Sequence, residues 1–185
     1  MRFEPSAIAD VIIVEPKRFG DARGYFMETF RQSFFAEKIG PFEFVQDNQS
    51  LSADVGTVRG LHFQLNPMAQ GKLVRCIAGA LLDVAVDIRK GSPTYGQHVA
   101  VELSAENGKQ LWVPPGFAHG FCTLLPNTEI SYKVTNYYSS EHDRGLMWND
   151  PALGIDWPVR SDDAVLSDKD MTQPPLTELG DAFTY

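Results

Sequence analysis

The sequence predicts an all-β fold, either a β-sandwich or a jelly-roll barrel. Short stretches rich in β-branched and aromatic residues recur along the chain, separated by Gly, Pro, Asn and Asp. The stretch Leu82–Arg89 alternates: its even-numbered residues are apolar, and Asp83, Asp87 and Arg89 lie on the other face. Only one stretch favours a helix. Many short strands with almost no helix are typical of sandwiches and barrels.

Each predicted element lies between turn signals. The single helix extends from Gln32 to Lys38, since Gly40 and Pro41 end it. Glu106–Lys109 contains Asn-Gly and predicts a hairpin turn. The predicted strands are Val11–Val14, Tyr25–Phe30, Phe42–Asp47, Val58–Gln64, Lys72–Ile77, Leu82–Arg89, His98–Leu103, Leu111–Val113, His119–Leu124 and Glu129–Tyr137.

Beyond Trp148 the sequence is rich in Pro and Gly, which predicts an extended, loop-rich tail over about 160–185. The 185 residues suit one domain, spanning 1–185. A net charge of −8 argues against bulk attraction to nucleic acid or to an anionic membrane. Cys76 and Cys122 are far apart and predict buried thiols in a reducing compartment. With no apolar stretch of membrane-spanning length, we expect a soluble, cytoplasmic protein.

The stretch Arg59–Gln64 carries the first chemical signal. On a predicted strand it combines the guanidinium of Arg59 with His62, a base that titrates near neutrality. Lys72 alternates onto an apolar face, and burying an ammonium is costly unless it meets an anion. Tyr132 shares an inward face with Ile130 and Val134. A lone inward His or Tyr is more often structural, but the three together on barrel strands indicate a proton-transfer site.

Two further stretches could recognise an anion. Arg23 lies in a turn before a strand, and Arg59 begins the histidine strand; guanidinium groups bind phosphate oxygens bidentately. On spacing alone, Arg23 is more readily explained as a solvated turn residue. Gln46–Asn48 could present polar groups to a ligand or could equally cap a turn.

The stretch Pro114–Gly120 is similar to the second cupin motif, whose histidine is often a metal ligand. The first cupin motif needs His-x-His followed by a glutamate, whereas this chain has His62 and Gln64 at that spacing. The chain has only four histidines, and His98 and His142 lie in no ligand spacing. We therefore expect a cupin-type jelly-roll barrel with few short helices and without a metal.

From Phe19 to Asp170, nearly the whole chain resembles the nucleotide-sugar epimerases typified by dTDP-4-dehydrorhamnose 3,5-epimerase. The ordered set of motifs is far more specific than any one of them. The matching stretches are Phe19–Gly24, Gln46–Asn48, Arg59–Gln64, Gln70–Arg75, Asp83–Arg89, Ser92–Gly96, Pro115–Phe121, Tyr132–Tyr138, Trp148–Pro151, Gly154–Pro158 and Leu166–Asp170.

The resemblance implies residue roles. His62 is the general base, Asp170 fixes its tautomer, Tyr132 is the opposing acid, and Lys72 stabilises the oxyanion as the C4 ketone becomes an enolate. Asp143 stands where the family usually carries glutamate. The residues implied to bind the substrate are Phe19, Arg23, Glu28, Gln46, Asp47, Asn48, Arg59, Lys72, His119, Tyr138, Asp143 and Lys169.

The implied activity is epimerisation at C3 and C5 of dTDP-4-dehydro-6-deoxy-D-glucose, giving dTDP-4-dehydro-L-rhamnose in dTDP-L-rhamnose biosynthesis, without metal or cofactor. The resemblance also suggests a homodimer in which N-terminal strands place Arg23 or Glu28 in the partner's site. Three alternatives stay open: a metal-dependent cupin enzyme, a noncatalytic nucleotide-sugar or carbohydrate-binding barrel, and a 3-only or 5-only epimerase.

Overall fold

The computed structural model describes residues 1–185, and its core is formed by two antiparallel sheets. There are two α-helices, α1 (Gln32–Ile39) and α2 (Asp168–Met171), and one 3-10 turn at Leu176–Glu178. The strands are β1 (Arg2–Pro5), β2 (Ile12–Glu15), β3 (Arg18–Asp21), β4 (Gly24–Met27), β5 (Gln46–Ser52), β6 (Val58–Gln64), β7 (Lys72–Ala78), β8 (Ala80–Asp87), β9 (Arg89–Lys90), β10 (His98–Ser104), β11 (Gln110–Val113), β12 (Phe117–Thr123), β13 (Thr128–Val134), β14 (Asp143–Gly145) and β15 (Phe183–Thr184).

The two sheets face one another across the main core. One has the strand order β1-β2-β11-β7-β13-β5, and the other β10-β8-β12-β6-β14. Apolar residues of both sheets meet between them, among them Val74, Ile130, Leu81 and Phe121. The predicted all-β, jelly-roll-type fold with few short helices is confirmed.

The C-terminal part of the chain covers the outer face of the five-stranded sheet. Val84 and Val86 of β8 pack there with Leu153 and Phe183. The apolar face predicted for Leu82–Arg89 therefore contacts this C-terminal cover, whereas Asp83 points into the interior and is 0% exposed. Both faces of the strand are buried, and the face that carries the charges is the inner one.

The predicted strand Phe42–Asp47 is wrong in position, because β5 begins at Gln46 and continues to Ser52. Phe42 and Phe44 pack instead on Trp112, in an aromatic cluster beside α1. The polar residues of β5 form a strand because each pairs with β13 across the full length of that strand. Tertiary pairing outweighs the weak strand preference of Gln, Asp and Asn.

Glu106–Lys109 forms a turn, but the predicted hairpin is wrong. Strand β10 pairs with β8, while β11 pairs with β2 and β7 in the other sheet. The Asn107 side chain closes the turn by accepting from the backbone amides of Ser104 and Lys109. The turn thus carries the chain from one sheet to the other.

The short strands β1, β3, β9, β14 and β15 were not predicted, since each has four residues or fewer and depends on a partner distant in sequence or on an adjacent turn. None of the helices combines the length and apolar character needed to cross a bilayer.

Candidate active site

A cavity of about 390 Å³ opens between the two sheets at the end where β6, β7 and β13 carry the sequence-predicted residues. A second chamber of about 240 Å³ shares His62, Lys72 and Tyr132 with it. The first chamber is lined by Gln46, Asn48, His62, Phe63, Gln64, Gln70, Lys72, Tyr132, Tyr138, Asp143 and Lys169.

His62 and Asp170 are in direct contact although 108 residues separate them. His62 Nε2 lies 2.5 Å from Asp170 Oδ1, and the carboxylate side chain is 4% exposed. Burial opposes ionisation of this carboxyl, but the hydrogen bonds from His62 and Ser167 outweigh it and lower the pKa of Asp170. Because Nε2 faces the carboxylate, Nδ1 is the nitrogen left to accept a proton.

Ser167 caps α2 and fixes the second oxygen of Asp170. Its hydroxyl donates to Asp170 Oδ2 at 2.8 Å and accepts from the Asp170 amide at 3.2 Å. Backbone hydrogen bonds hold the chain on both sides of α2. Before the helix, Val165 bonds with Gly56 and Val58; after it, the carbonyl of Pro174 accepts from the amide of Met147. A short helical turn is thereby held rigidly beside β6.

Lys72 enters the cavity from β7 on the same face as Val74 and Cys76, as predicted. It is 9% exposed, and Nζ donates to the carbonyl of His62 at 3.2 Å. Burial lowers the pKa of Lys72 to about 8, while the negative charges of Asp143 and Asp83 act in the opposite direction. The site therefore holds a cation that can lose its proton at mildly alkaline pH.

Tyr132 approaches from the opposite wall, since β13 belongs to the six-stranded sheet and β6 to the five-stranded one. Its ring packs against the main core, as the alternation with Ile130 predicts. Burial raises the pKa of Tyr132, with a smaller opposing effect from Arg59. The raised pKa keeps this phenol protonated at neutral pH, on the cavity wall opposite the imidazole.

A β-bulge brings Arg59 and His62 to the same wall. In a regular strand, residues three apart point to opposite faces. On β6, two residues (Gly60 and Leu61) lie opposite the single Gly120 of β12, so the register shifts between the pairs His62–His119 and Arg59–Phe121. Leu61 turns to the outer cluster, and both polar side chains line the second chamber.

His119 also lines the second chamber, held by Asp83. His119 Nε2 lies 2.8 Å from Asp83 Oδ1, and both side chains are buried. Asp83 Oδ2 has no hydrogen-bond partner within the chain. The predicted binding residue His119 therefore belongs to a second buried His–Asp pair.

The mouth of the cavity carries three predicted residues in mutual contact. Asp143 Oδ2 accepts from Lys169 Nζ and from the Tyr138 hydroxyl, the latter at 3.1 Å. Gln46 and Asn48 project into the same opening from β5. Asp143 is therefore already paired with a cation and a phenol.

Four predicted binding residues lie outside the cavity of this chain. Asp47 projects from the other face of β5 and pairs with Lys133 at 2.8 Å. Arg23 is 89% exposed and pairs with Asp21 at the tip of the β3–β4 hairpin. Phe19 lies on that hairpin, and Glu28, just after it, pairs with Arg31.

Sequence reasoning missed Ser167, Asp83 and Gln64 as residues that organise the site. The Ser-x-x-Asp spacing of Ser167 and Asp170 is a recognisable capping pattern and could have located the helix. Asp83 gave no signal of its own, because alternation placed it on the face opposite the apolar one without showing whether that face is buried. Gln64 was considered only as the residue replacing a metal-binding histidine.

The arrangement suits acid–base chemistry on a carbon acid: a base supported by a carboxylate, an acid on the opposite wall, and a buried cation that lines the same cavity. No three His, Cys, Asp or Glu side chains converge with the geometry of a metal site.

Residues 5–178 match the sequence model of the family described as dTDP-4-dehydrorhamnose 3,5-epimerase. The chain belongs to this family. The family's enzyme from Sinorhizobium fredii is 62% identical over 185 residues, covering 100% of this chain and 94% of the relative.

Another relative in sequence has a narrower name. It is the dTDP-4-dehydrorhamnose 3-epimerase of Streptomyces niveus, 37% identical over 98% of this chain and 87% of its own. Among solved structures, an epimerase of the family from Legionella pneumophila in complex with dTDP-4-keto-L-rhamnose superposes with a TM-score of 0.94. It is 44% identical and covers 100% of this chain and 98% of its own.

Proposed function

We propose that this protein converts dTDP-4-dehydro-6-deoxy-D-glucose to dTDP-4-dehydro-L-rhamnose by epimerising C3 and C5, as a step of dTDP-L-rhamnose biosynthesis. Family membership supports this activity. The observation that carries the chemistry is the placement of His62 and Tyr132 on opposing sheets, with the Lys72 ammonium lining the same cavity. Inversion of a carbon centre requires groups on both of its faces.

His62 begins the reaction as the base. A hydrogen on C3 or C5 is acidified by the neighbouring C4 ketone; as the C–H bond breaks, its electron pair delocalises onto the C4 oxygen. Nδ1 of His62 accepts the proton, and Asp170 stabilises the resulting imidazolium. Lys72 stabilises the enolate oxygen as its charge develops.

Tyr132 completes the inversion. If His62 returned the proton, it would do so from the face it came from and restore the starting configuration. Donation of the Tyr132 hydroxyl proton to the other face of the same carbon forms the new C–H bond with inverted configuration. The phenolate is then reprotonated from solvent, and the His62 imidazolium releases its proton to solvent, which restores both residues for the next centre. Both centres flanking the ketone can be processed in turn by the same pair.

The residues at the cavity mouth and in the second chamber bind the rest of the substrate in this proposal. Arg59 and His119 supply donors for diphosphate or sugar oxygens. Gln46, Asn48, Tyr138, Asp143 and Lys169 form the mouth. When an anionic ligand binds, Lys169 pairs with the ligand instead of with Asp143.

We further propose a homodimer in which Phe19, Arg23 and Glu28 of one subunit complete the partner's site. The hairpin β3–β4 pairs with neither main sheet and exposes Phe19, Tyr25 and Phe26 by 53%, 59% and 70%. Apolar surface of this kind is typical of an interface. The two buried free thiols support a reducing, cytoplasmic location.

Solvent exchange tests the activity. The protein is incubated with dTDP-4-keto-6-deoxyglucose in deuterated water with chelator present, and we expect deuterium at both C3 and C5. Label at one carbon only identifies a single-centre epimerase. A folded protein that introduces no label at either carbon contradicts the proposal, and recovery of activity on adding metal identifies a metal-dependent enzyme.

The His62→Ala variant is the matched control. It should lose exchange at both carbons while still binding dTDP, because the residues proposed to bind the nucleotide remain in place. Retained exchange would show that another group is the base.

A further inference from the structure

Gln64 lies two residues after His62 on β6, is 3% exposed, and makes three hydrogen bonds with backbone groups. Its Nε2 donates to the carbonyls of Met68 at 2.6 Å and Tyr137 at 3.1 Å. Its Oε1 accepts from the amide of Ser139 at 2.6 Å. Both amide hydrogens and the carbonyl oxygen are therefore used to hold backbone.

These bonds bracket Tyr138. Gln64 fixes the residue before Tyr138 through its carbonyl and the residue after it through its amide. The Tyr138 amide itself donates to Gln46 Oε1 at 3.2 Å. The backbone of Tyr138 is thus held at three successive positions by two glutamine side chains, while its ring is 60% exposed at the cavity mouth.

An aromatic ring that is fixed before binding loses less conformational freedom when a ligand packs on it, so prior fixation raises affinity. Its flat face suits a nucleobase, because any nucleobase can stack on an aromatic side chain. The reacting end of the cavity does not depend on this loop, because His62, Lys72 and Tyr132 project from strands of the two sheets.

We infer that Gln64 is a positioning residue for recognition of the nucleoside end of the substrate: it fixes the segment Tyr137–Ser139 and so presents Tyr138 to the base. This inference rests on the proposed function. Gln64 stands where the first cupin motif has its second histidine. The inference gives this position a role in substrate binding.

Kinetics of two Gln64 variants provide the first test. Gln64→Glu keeps the shape but removes donors facing two carbonyls, and Gln64→Met keeps the volume without any hydrogen bond. We expect KM for the dTDP-sugar to rise about 10-fold or more in both variants while kcat changes by less than about 3-fold. An unchanged KM, or a loss confined to kcat, overturns the inference.

Thr128→Val is a matched control. Thr128 is also buried and bonds backbone carbonyls, those of Ala80 and Leu125, but at the end of β13 remote from Tyr138. This variant should lower the melting temperature without changing KM. A KM increase equal to that of the Gln64 variants would show that general loosening of the fold explains their effect.

A double-mutant cycle with Tyr138→Ala is the decisive measurement. If Gln64 acts through Tyr138, adding Gln64→Glu to Tyr138→Ala raises KM, and the dissociation constant of dTDP, by less than about 2-fold further. If the two substitutions raise KM independently, so that their fold-changes multiply in the double variant, the inference is overturned. The dTDP measurement separates the two proposals: a wild-type protein that binds dTDP with the expected coupling but exchanges no deuterium refutes only the proposed activity. A protein that binds no dTDP refutes both.

Discussion

Lys72 has the most unusual environment of the residues in the cavity. Its ammonium is buried beside a backbone carbonyl, and no carboxylate lies within salt-bridge distance. A buried charge without a close counter-ion destabilises a protein. In the proposed reaction, the oxyanion that develops on the substrate is the partner of Lys72, so the cost in stability is offset as the reaction takes place.

The pH dependence of catalysis should reflect this lysine. Because the pKa of Lys72 is about 8, kcat/KM should fall as pH rises through that value and the ammonium loses its proton. In Lys72→Arg the guanidinium stays charged, so the alkaline decline should move to higher pH even though the overall rate is lower. An unchanged decline would assign it to another group.

Lys72→Met separates function from folding. It should reduce kcat by about 100-fold or more, because the enolate loses its cation. At neutral pH the melting temperature should rise, since the depressed pKa means that the folded state binds this proton less tightly than the unfolded state. A lower melting temperature would contradict this description of its environment.

Tyr132→Phe should separate proton removal from inversion. His62 and Lys72 remain in this variant, so deuterium still exchanges into the substrate, but without the acid it returns from the base's own face. We expect exchange with retention to persist while epimer formation falls about 100-fold or more. Equal loss of exchange and inversion would mean that Tyr132 is needed for proton removal as well.

At the scale of elements, the bulge in β6 determines the layout of the site. By inserting one residue opposite Gly120, it places Arg59 on the same wall as His62 and sends Leu61 to the outer cluster. The approach is so close that only glycines fit. A Cβ on Gly60 would lie 2.6 Å from Gly120 Cα and 2.7 Å from the His119 carbonyl.

Gly60→Ala should therefore be strongly destabilising. The new methyl meets backbone that cannot move independently, and φ at this position is +122°. We expect a loss of about 2–4 kcal/mol in the free energy of unfolding, measured by denaturant titration.

The control for this variant is Gly154→Ala. Gly154 also has positive φ, +59°, but nothing lies within 4 Å of a Cβ there, so the loss should be about 1 kcal/mol. Equal losses in the two variants would mean that the close approach of β6 and β12 adds nothing.

On the scale of the whole molecule, the proposed homodimer concerns the predicted binding residues that lie outside the cavity of their own chain. Arg23 and Phe19 lie on a hairpin that exposes its aromatic side chains, and neither lines the cavity that holds His62 of the same chain. The proposed composite site would account for both observations.

Subunit mixing tests this arrangement. Arg23→Ala should raise KM, and His62→Ala should be inactive. When equal amounts of the two variants exchange subunits, about a quarter of all sites should regain wild-type activity. The reason is that each mixed dimer has one site that combines an intact His62 with an intact Arg23 from the other chain. Simple averaging of the two variants' activities would show that each chain uses its own Arg23.

How well a feature could be predicted from the sequence depended on how far apart in the chain the interacting residues lie. Alternation alone predicted that Lys72 and Tyr132 face inward, and β6 was predicted with its observed bounds. The position of β5 was missed because pairing with β13, not local preference, defines that strand. The common wall for Arg59 and His62 could not be derived, since a one-residue register shift depends on a neighbouring strand. The contact of His62 with Asp170 came from family resemblance, as nothing local joins residues so far apart.

The late position of Asp170 has a consequence for truncated chains. Every strand of the two main sheets lies before residue 146, whereas Asp170 lies in the C-terminal segment that covers the outer face of the five-stranded sheet. A chain clipped before Ser167 therefore loses the acidic partner of His62 and, at the same time, part of the apolar cover, including Phe183. Proteolysis at this end should thus remove activity and lower stability together.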